Sequence, residues 1–551
     1  MDKVPPSSQI RMTLGIDLGT TRTSVAMVAP SDPNGSWYGG IEVLKLADGP
    51  MTPSAVLIDR ERVVVGNAAK NMGHRAADCA QVFKREMPNE RYRFSPQSRP
   101  GTTFSAKELS TLLLNHVVSQ ARSQAGVEFR QAVITVPAYF GDVARRSTRA
   151  AGENAGLDVL DIINEPTAAI LAYLFQPGAE ILEEPVLVFD LGGGTLDTVV
   201  VDVKPDELRL VAIDGDMFQG GRDFDEAIAF ELAQQFMQLH DGAGSPLAEP
   251  NNGARIRLDV EREREALSFV DVSNIPVWGW GEDARLAYNC EITREDFEAF
   301  IEPQIDHCLR IARRSLASAR ESGVEVARVL FVGGATRTPV LRRRVLEELG
   351  LREVVSGADP DLLVAKGAAV WAFRCALMNY FWEQYGDKGD GSLESSRRKS
   401  AIADAALLTN FDARLVDRLL GLTLESVTSR GYAIECYNPE SRRRYLVYLI
   451  DAQDPLPIET KPGQFVWNDD IDRWILRIYE DSPERRGSVK PKDAVLVETI
   501  RGETHREWPA GSAFRVVFRL GTDQILHVHA WHEEGDAPGG ELRVQVSLRP
   551  H

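Results

Sequence analysis

Apolar positions in this chain come in short runs broken by glycine, proline and aspartate, with longer amphipathic stretches between them. Val186-Leu187-Val188-Phe189 and the β-branched run Thr198 to Val201 flank Gly192-Gly193-Gly194, which predicts two buried strands joined by a tight glycine turn. Leu14 to Asp17 and Ser24 to Val28 repeat that arrangement around Gly19, Thr20 and Thr21. Further short strands are expected at Ser54 to Ile58, Val63 to Val65 and Val133 to Pro137. Helices are expected after Gly66, over Gly141 to Ala155, from Glu165, from Asp223, over Arg255 to Phe269 and over Phe373 to Trp382. A polar loop, Gly386 to Ser400, then precedes a helical stretch, Ala401 to Leu420. From Thr423 the pattern alternates. Strands are expected at Tyr445 to Ile450, Trp474 to Tyr479, Ala494 to Thr499, Phe514 to Leu520, Ile525 to Ala530 and Leu542 to Leu548, forming an antiparallel sandwich.

Length and composition narrow the class. A chain of 551 residues exceeds one hydrophobic core, so two to four structural units are expected, and 43% apolar content can fill them. A net charge of −18 argues against nucleic acid or an anionic membrane as the main partner. Five cysteines, far apart and without metal-ligand spacing, fit a reduced cytoplasmic interior. The first residues carry no apolar leader, and no stretch has the length to cross a bilayer. Alternation puts His527 and His529 on one strand face, read as partly exposed strand histidines rather than a metal site.

The glycine turn carries the chemistry. Three consecutive glycines allow positive φ and let several N–H groups converge, so the turn can cradle a polyphosphate. Asp190 and Asp197 flank it, and a carboxylate beside a polyanion is tolerated when a divalent cation such as Mg²⁺ stands between them. Asp17 occupies the matching place 173 residues earlier, which suggests two similar lobes facing one phosphate chain.

These paired turns resemble the actin, sugar kinase and seventy-kilodalton heat-shock chaperone superfamily. The strings VGNAAKN at Val65 to Asn71, VITVPAYFGDVAR at Val133 to Arg145, IINEPTAAILAY at Ile162 to Tyr173, QGGRDFD at Gln219 to Asp225 and VGGATRTP at Val332 to Pro339 resemble the chaperones specifically, in the family's order. The resemblance implies an α/β actin-like ATPase of two ribonuclease H-like lobes followed by an all-β sandwich, with ATP or ADP and Mg²⁺ between the lobes. The expected boundaries are 1–174 for lobe I, 175–377 for lobe II, 378–422 for an inserted segment and linker, and 423–551 for the β-domain.

Carried over residue by residue, the resemblance puts Asp17, Asp190 and Asp197 around the metal, through water. Lys70, Glu165, Asp190, Thr195 and Asp197 are the catalytic set, Lys70 reaching the γ-phosphate and Glu165 the metal's hydration shell. Gly19, Thr20, Thr21 and Gly192, Gly193, Gly194 surround the phosphates, while Gly220 and Gly221 approach the sugar. Glu261, Arg264 and Ser268 clamp adenine and ribose, Gly333 and Gly334 cover the base with Arg337 stacking on it, and Asp361 stands at the ribose. Glu265 departs from the pattern, since the family places a basic residue there. Pro137 and Arg145 match residues that relay nucleotide state to the peptide-binding domain, although a strand-ending proline and a surface arginine need no such role.

Beyond Trp371 the resemblance weakens, and Leu415 to Leu422 is only loosely similar to the family's linker. GTDQILHVHAWHEEG, Gly521 to Gly535, resembles the β-domain, where Val466 and Trp474 are candidate peptide-pocket residues. No helical segment is expected after the last strand, so the implied protein is a short form without the family's helical lid. The implied function is ATP hydrolysis coupled to binding of extended apolar polypeptide, with unfolded clients, a J-domain co-chaperone and a nucleotide exchange factor as partners. Two alternatives stand beside it: a small-molecule kinase of the same superfamily, and a nucleotide-dependent interaction protein with little turnover.

Overall fold

The computed structural model describes residues 12–31, 38–176, 182–354, 359–385, 395–409, 413–466, 471–481, 488–508, 510, 512–521, 524 and 526–532. The expected arm at residues 1–11, the strand at Leu542 to Leu548 and the turn at Pro538-Gly539-Gly540 lie outside them.

Two mixed sheets share one topology. In the first, β1 (Thr13–Asp17), β2 (Arg22–Ser31) and β3 (Tyr38–Val43) form an antiparallel meander, and β4 (Gln131–Val136) and β5 (Asp158–Asn164) extend it in parallel on the other side of β1, giving the order β3-β2-β1-β4-β5. In the second, β6 (Val186–Leu191), β7 (Leu196–Lys204) and β8 (Glu207–Asp216) form the meander, with β9 (Arg328–Val332) and β10 (Arg352–Glu353) parallel to β6. The repeat read from the two aspartates is therefore a repeat of whole sheets. Register makes it specific: Asp17 pairs with Ser24 across the first hairpin, and Asp190 pairs with Asp197 across the second.

The run Val186 to Phe189 is apolar without interruption because both sheet faces are covered. Val186 and Val188 join one core, and Leu187, Phe189 and Leu191 join another. Helix α1 (Asn67–Asn71) carries Lys70, and α2 (Asp142–Asn154) follows β4. Helix α3 (Glu165–Leu174) starts where β5 ends, with Pro166 preset for its first turn. Helices α4 (Gly221–Leu239) and α5 (Pro250–Leu267) belong to the second lobe.

Three differences from expectation concern boundaries. Helix α6 (Leu363–Tyr385), expected to belong to lobe II as far as residue 377, packs on α3, β1, β2 and β4 of the first lobe. A Cβ on Gly367 would lie 1.6 Å from the Ala168 carbonyl oxygen, and one on Gly15 2.0 Å from the Ala369 nitrogen, so glycine is what lets these backbones touch. Secondly, the expected polar loop to Ser400 gives way to helix α7 (Ser395–Thr409), followed by α8 (Ala413–Gly421). Alanine-rich sequence favours helix there. Helix α7 packs on β2 and β3, Ile402, Ala405, Val416, Leu419 and Leu420 enter the main core, and Arg374 donates to the carbonyls of Leu419 and Leu422, so the described part of the expected linker is an outer layer of the lobes. Residues 386–394 lie outside the description. Thirdly, β11 (Thr423–Val427), expected to open the β-domain, pairs in parallel with β8 and lengthens the second sheet.

The C-terminal region is β-rich. Tyr432–Asn438, Arg443–Ile450, Ile471–Asp481 and Ala494–Trp508 make one antiparallel sheet, and Ile458–Glu459, Gly463–Val466, Ala513–Leu520 and Leu526–His532 make another. Alternate side chains of both sheets fill one core, and Val143 from α2 enters that core too. The backbone N–H of Leu526 donates to Asp142 at 3.0 Å, and the Gln453 amide bonds both the N–H and C=O of Ile213. The β-domain is thus docked on both lobes.

Candidate active site

The two Asp-bearing turns open on one cavity of about 370 Å³ between the lobes. Asp17, Gly19, Thr20, Thr21, Lys70 and Glu165 line it from the first lobe. Asp190, Gly192, Gly193, Thr195, Gly221, Glu261, Arg264, Ser268, Gly333, Gly334, Arg337 and Asp361 line it from the second. Asp197, Gly194 and Gly220 are not among the residues lining it. Asp197 is buried and accepts the Ala138 N–H at 2.8 Å, leaving its second oxygen without a partner.

The expected reason for the glycine triplet needs correction. None of Gly192, Gly193 and Gly194 takes a positive φ. Close approach explains the last two: a Cβ on Gly193 would meet the Thr21 hydroxyl at 2.0 Å, one on Gly194 would meet Thr20 Cγ2 at 2.3 Å, and one on Gly220 would meet the Gly194 nitrogen at 2.5 Å. The two Asp-bearing turns therefore touch each other, backbone against threonine. Gly333 is different, with φ at 79° and its Cβ direction blocked by the Leu191 carbonyl.

Acids crowd the inner end. Asp190, Glu165, Thr195 and Thr20 are buried, and Asp17 accepts from Thr135 at 3.2 Å. Burial first, and Glu165 second, push the Asp17 carboxyl up to about 7 and raise Asp190 and Asp197 well above the carboxylate range. Lys84 faces these acids. Its ammonium is 2% exposed and donates to Glu165 at 2.5 Å. Its local string, QVFKREM, carries neither a glycine turn nor a strand pattern, so nothing along the chain marks this lysine.

An all-oxygen, acid-rich end with unpartnered Asp197 and Thr20 oxygens fits a hard cation. Among the described residues no group of three or more His, Cys, Asp or Glu is arranged to ligate a metal directly. When bound, such an ion would supply charge neutralisation for a phosphate chain.

Ion pairs knit the outer end. Lys70 donates to Glu261 across the cleft at 2.7 Å rather than standing free, and although burial pushes the Glu261 carboxyl up, Lys70 together with Arg264 and Arg22 holds it below its usual range. Glu265, the residue that departs from the expected pattern, meets Arg22 of the other lobe at 2.6 Å. The acid is thus used as half of a second cross-cleft pair. Arg264 is buried against Asp225 at 2.6 Å, and Arg337 pairs with Asp359 and, at 3.4 Å, with Asp361.

Arg145 corrects another expectation. It is no surface arginine but is 1% exposed, donating to the carbonyls of Phe140 and Ala138 and to Asn164 Oδ1 at 2.8, 3.1 and 2.6 Å. Ala138 holds Asp197, and Asn164 precedes Glu165, so Arg145 ties the segment after Pro137 to two acids of the site. The peptide-pocket candidates separate: Val466 is 56% exposed, while Trp474 is 5% exposed and packs in the β-domain core. Trp474 is therefore a core residue in this arrangement. His527 is exposed and His529 half-buried on the same strand.

Among comparisons with known proteins, the family model described as Hsp70 protein matches residues 13–376, about two thirds of the chain.

Proposed function

The chain belongs to the Hsp70 protein family, and we propose that it is an ATP-hydrolysing chaperone in which turnover between the lobes controls a docked β-domain that binds extended apolar polypeptide. Members of this family are ATP-dependent chaperones built on actin-like lobes, which matches the repeated sheets. The observation that carries the reading is the register-matched pair Asp17 and Asp190, projecting from equivalent strand ends into one cavity.

The assignment of roles follows the wall. Gly192, Gly193, Thr20 and Thr21 would surround the phosphates, Asp17, Asp190 and Asp197 would organise the water shell of Mg²⁺, and Glu261, Arg264, Ser268, Gly334, Arg337 and Asp361 would hold adenosine. Hydrolysis joins water to the terminal phosphorus and breaks its bond to the bridging oxygen, giving ADP, inorganic phosphate and a proton. Positioned charge is what such a reaction needs from the protein. Thr195 lies beside Asp190 on the same hairpin, at the cavity wall, where its hydroxyl can orient the attacking water. Clients would pair with a strand edge of the β-domain near Val466. The Arg145 bonds and the Asp142 contact to Leu526 give nucleotide state a connected route to that domain.

Partners would include a J-domain co-chaperone and an exchange factor. All five cysteines are free thiols, which supports a reducing, cytoplasmic setting. Among the described residues no helix is long and apolar enough to cross a membrane. Steady-state phosphate release with and without an unfolded client tests the proposal: slow turnover stimulated by client supports it. Turnover that requires a sugar hydroxyl as acceptor would instead make the protein a kinase, and an absence of turnover despite tight ATP binding would leave a nucleotide-gated interaction protein.

A further inference from the structure

Lys70 is the lysine expected at the terminal phosphate, yet in this structure its ammonium is held by Glu261 on α5, at the adenosine side of the cavity. The ammonium at the acidic end belongs to Lys84. It lines the cavity with Asp17, Glu165, Asp190, Gly192 and Thr195, and its own pairing is to Glu165. We propose that Lys84 is a second phosphate-contacting lysine, bridging Glu165 and the terminal phosphate of bound ATP. This rests on the nucleotide reading above.

Three features support it. A fully buried ammonium costs several kcal/mol to desolvate and is retained where a fixed charge is used or closely paired. Lys84 has one carboxylate at bonding distance but faces three more, Asp17, Asp190 and Asp197, whose charge it offsets. An ammonium has three donor hydrogens, and Glu165 takes one of those available. The backbone is also bent to aim it. Val82, a β-branched residue that rarely adopts positive φ, sits at φ 57° immediately before the short helical turn Phe83–Glu86, and Val82 itself lines the cavity. An aromatic ring stands beside the charge as well: the ammonium is 5.8 Å from the Phe140 ring centroid, in the segment that Arg145 anchors.

The consequence is selective. ADP lacks the terminal phosphate, so a lysine at that position discriminates ATP from ADP, whereas a lysine serving only to neutralise Glu165 affects both alike. The test uses the full chain as Lys84→Gln, Lys84→Arg and the double variant Lys84→Gln/Glu165→Gln, the last removing both charges so that no buried carboxylate is left bare. Dissociation constants for Mg-ATP and Mg-ADP are measured by calorimetry, alongside thermal unfolding without nucleotide. A lost charge-assisted hydrogen bond corresponds to roughly tenfold or more. The expectation is about a tenfold loss of ATP affinity with ADP affinity held within about twofold, in Lys84→Gln and in the double variant, and partial recovery in Lys84→Arg. An unchanged ratio of ATP to ADP affinity in the double variant, with only the unfolding temperature altered, would overturn the assignment and make Lys84 a structural counter-ion. If the wild type binds neither nucleotide, the nucleotide reading itself falls, and this inference with it.

Discussion

Arg145 offers the sharpest test of how the cleft is built. Replacing it by Met keeps the volume of the stem but removes the donors to Phe140 O, Ala138 O and Asn164 Oδ1. Each buried acceptor stripped of a charged donor costs about 1–3 kcal/mol, and the relief from no longer burying a guanidinium returns part of that sum. A net loss on the order of 3 kcal/mol is expected, a large fraction of a domain's stability. For a unit of the first lobe's size this lowers the unfolding temperature by roughly 6–12 °C. Ala138 also holds Asp197, and Asn164 leads into Glu165, so turnover should fall, while Glu261, Arg264, Ser268 and Arg337, proposed to hold adenosine and not among these three acceptors, should keep ADP affinity near wild type. Differential scanning calorimetry of the ligand-free protein, ADP calorimetry and phosphate release together make the assay. An unfolding temperature within about 1 °C of wild type, with turnover within twofold, would refute the reasoning.

If bound ATP draws Lys70 from Glu261 to the terminal phosphate, Lys70→Ala should leave nucleotide affinity within about threefold and slow hydrolysis on the order of a hundredfold, the cost of losing one aimed charge; single-turnover kinetics would show it, and lost affinity at unchanged turnover would place the lysine elsewhere. Gly193→Ala drives a methyl into Thr21, whose hydroxyl would stand 2.0 Å away, so Mg-ATP affinity should drop on the order of tenfold, about 1.4 kcal/mol, by calorimetry. The Asp17 carboxyl, raised from 3.8 to about 7, binds a proton in the folded protein that the unfolded chain has already lost. Stability of the ligand-free protein should therefore decline between about pH 4 and 7 and level off above, while Mg²⁺-dependent nucleotide affinity, which needs the ionised acid, should rise up to about pH 7 by at most one decade per unit. Asp17→Asn should flatten that rise, and an unaltered profile would exclude Asp17 as its source.

How much of this was legible beforehand depends on whether the signal is local. Strands β1, β2, β6 and β7, the helix carrying Lys70 and the start of α3 at Glu165 follow from apolar runs, glycine breaks and Pro166, because those features act within a few residues. The repeated Asp-Gly-Thr turns suggest a repeat, and two sheets of matching topology carry them; of the 21 residues that the family resemblance implies for the nucleotide, 18 line the cavity. What folding alone decided is everything that needs two distant segments in contact. The triplet looked like a site for positive φ, and only the approach of Thr20 and Thr21 from the other lobe shows that Gly193 and Gly194 answer a steric demand. Lys70 and Glu265 look like solitary charges along the chain, and their partners, Glu261 and Arg22, stand 191 and 243 residues away. Arg145 reads as a surface arginine and Lys84 carries no local signal, because nothing along the chain records burial; a charge acquires its meaning from the carboxylates and carbonyls that the fold gathers around it. The same holds for Ala401 to Leu420, whose pattern predicts helix but not the surface it covers, since an apolar stripe specifies that it must be buried without specifying against what.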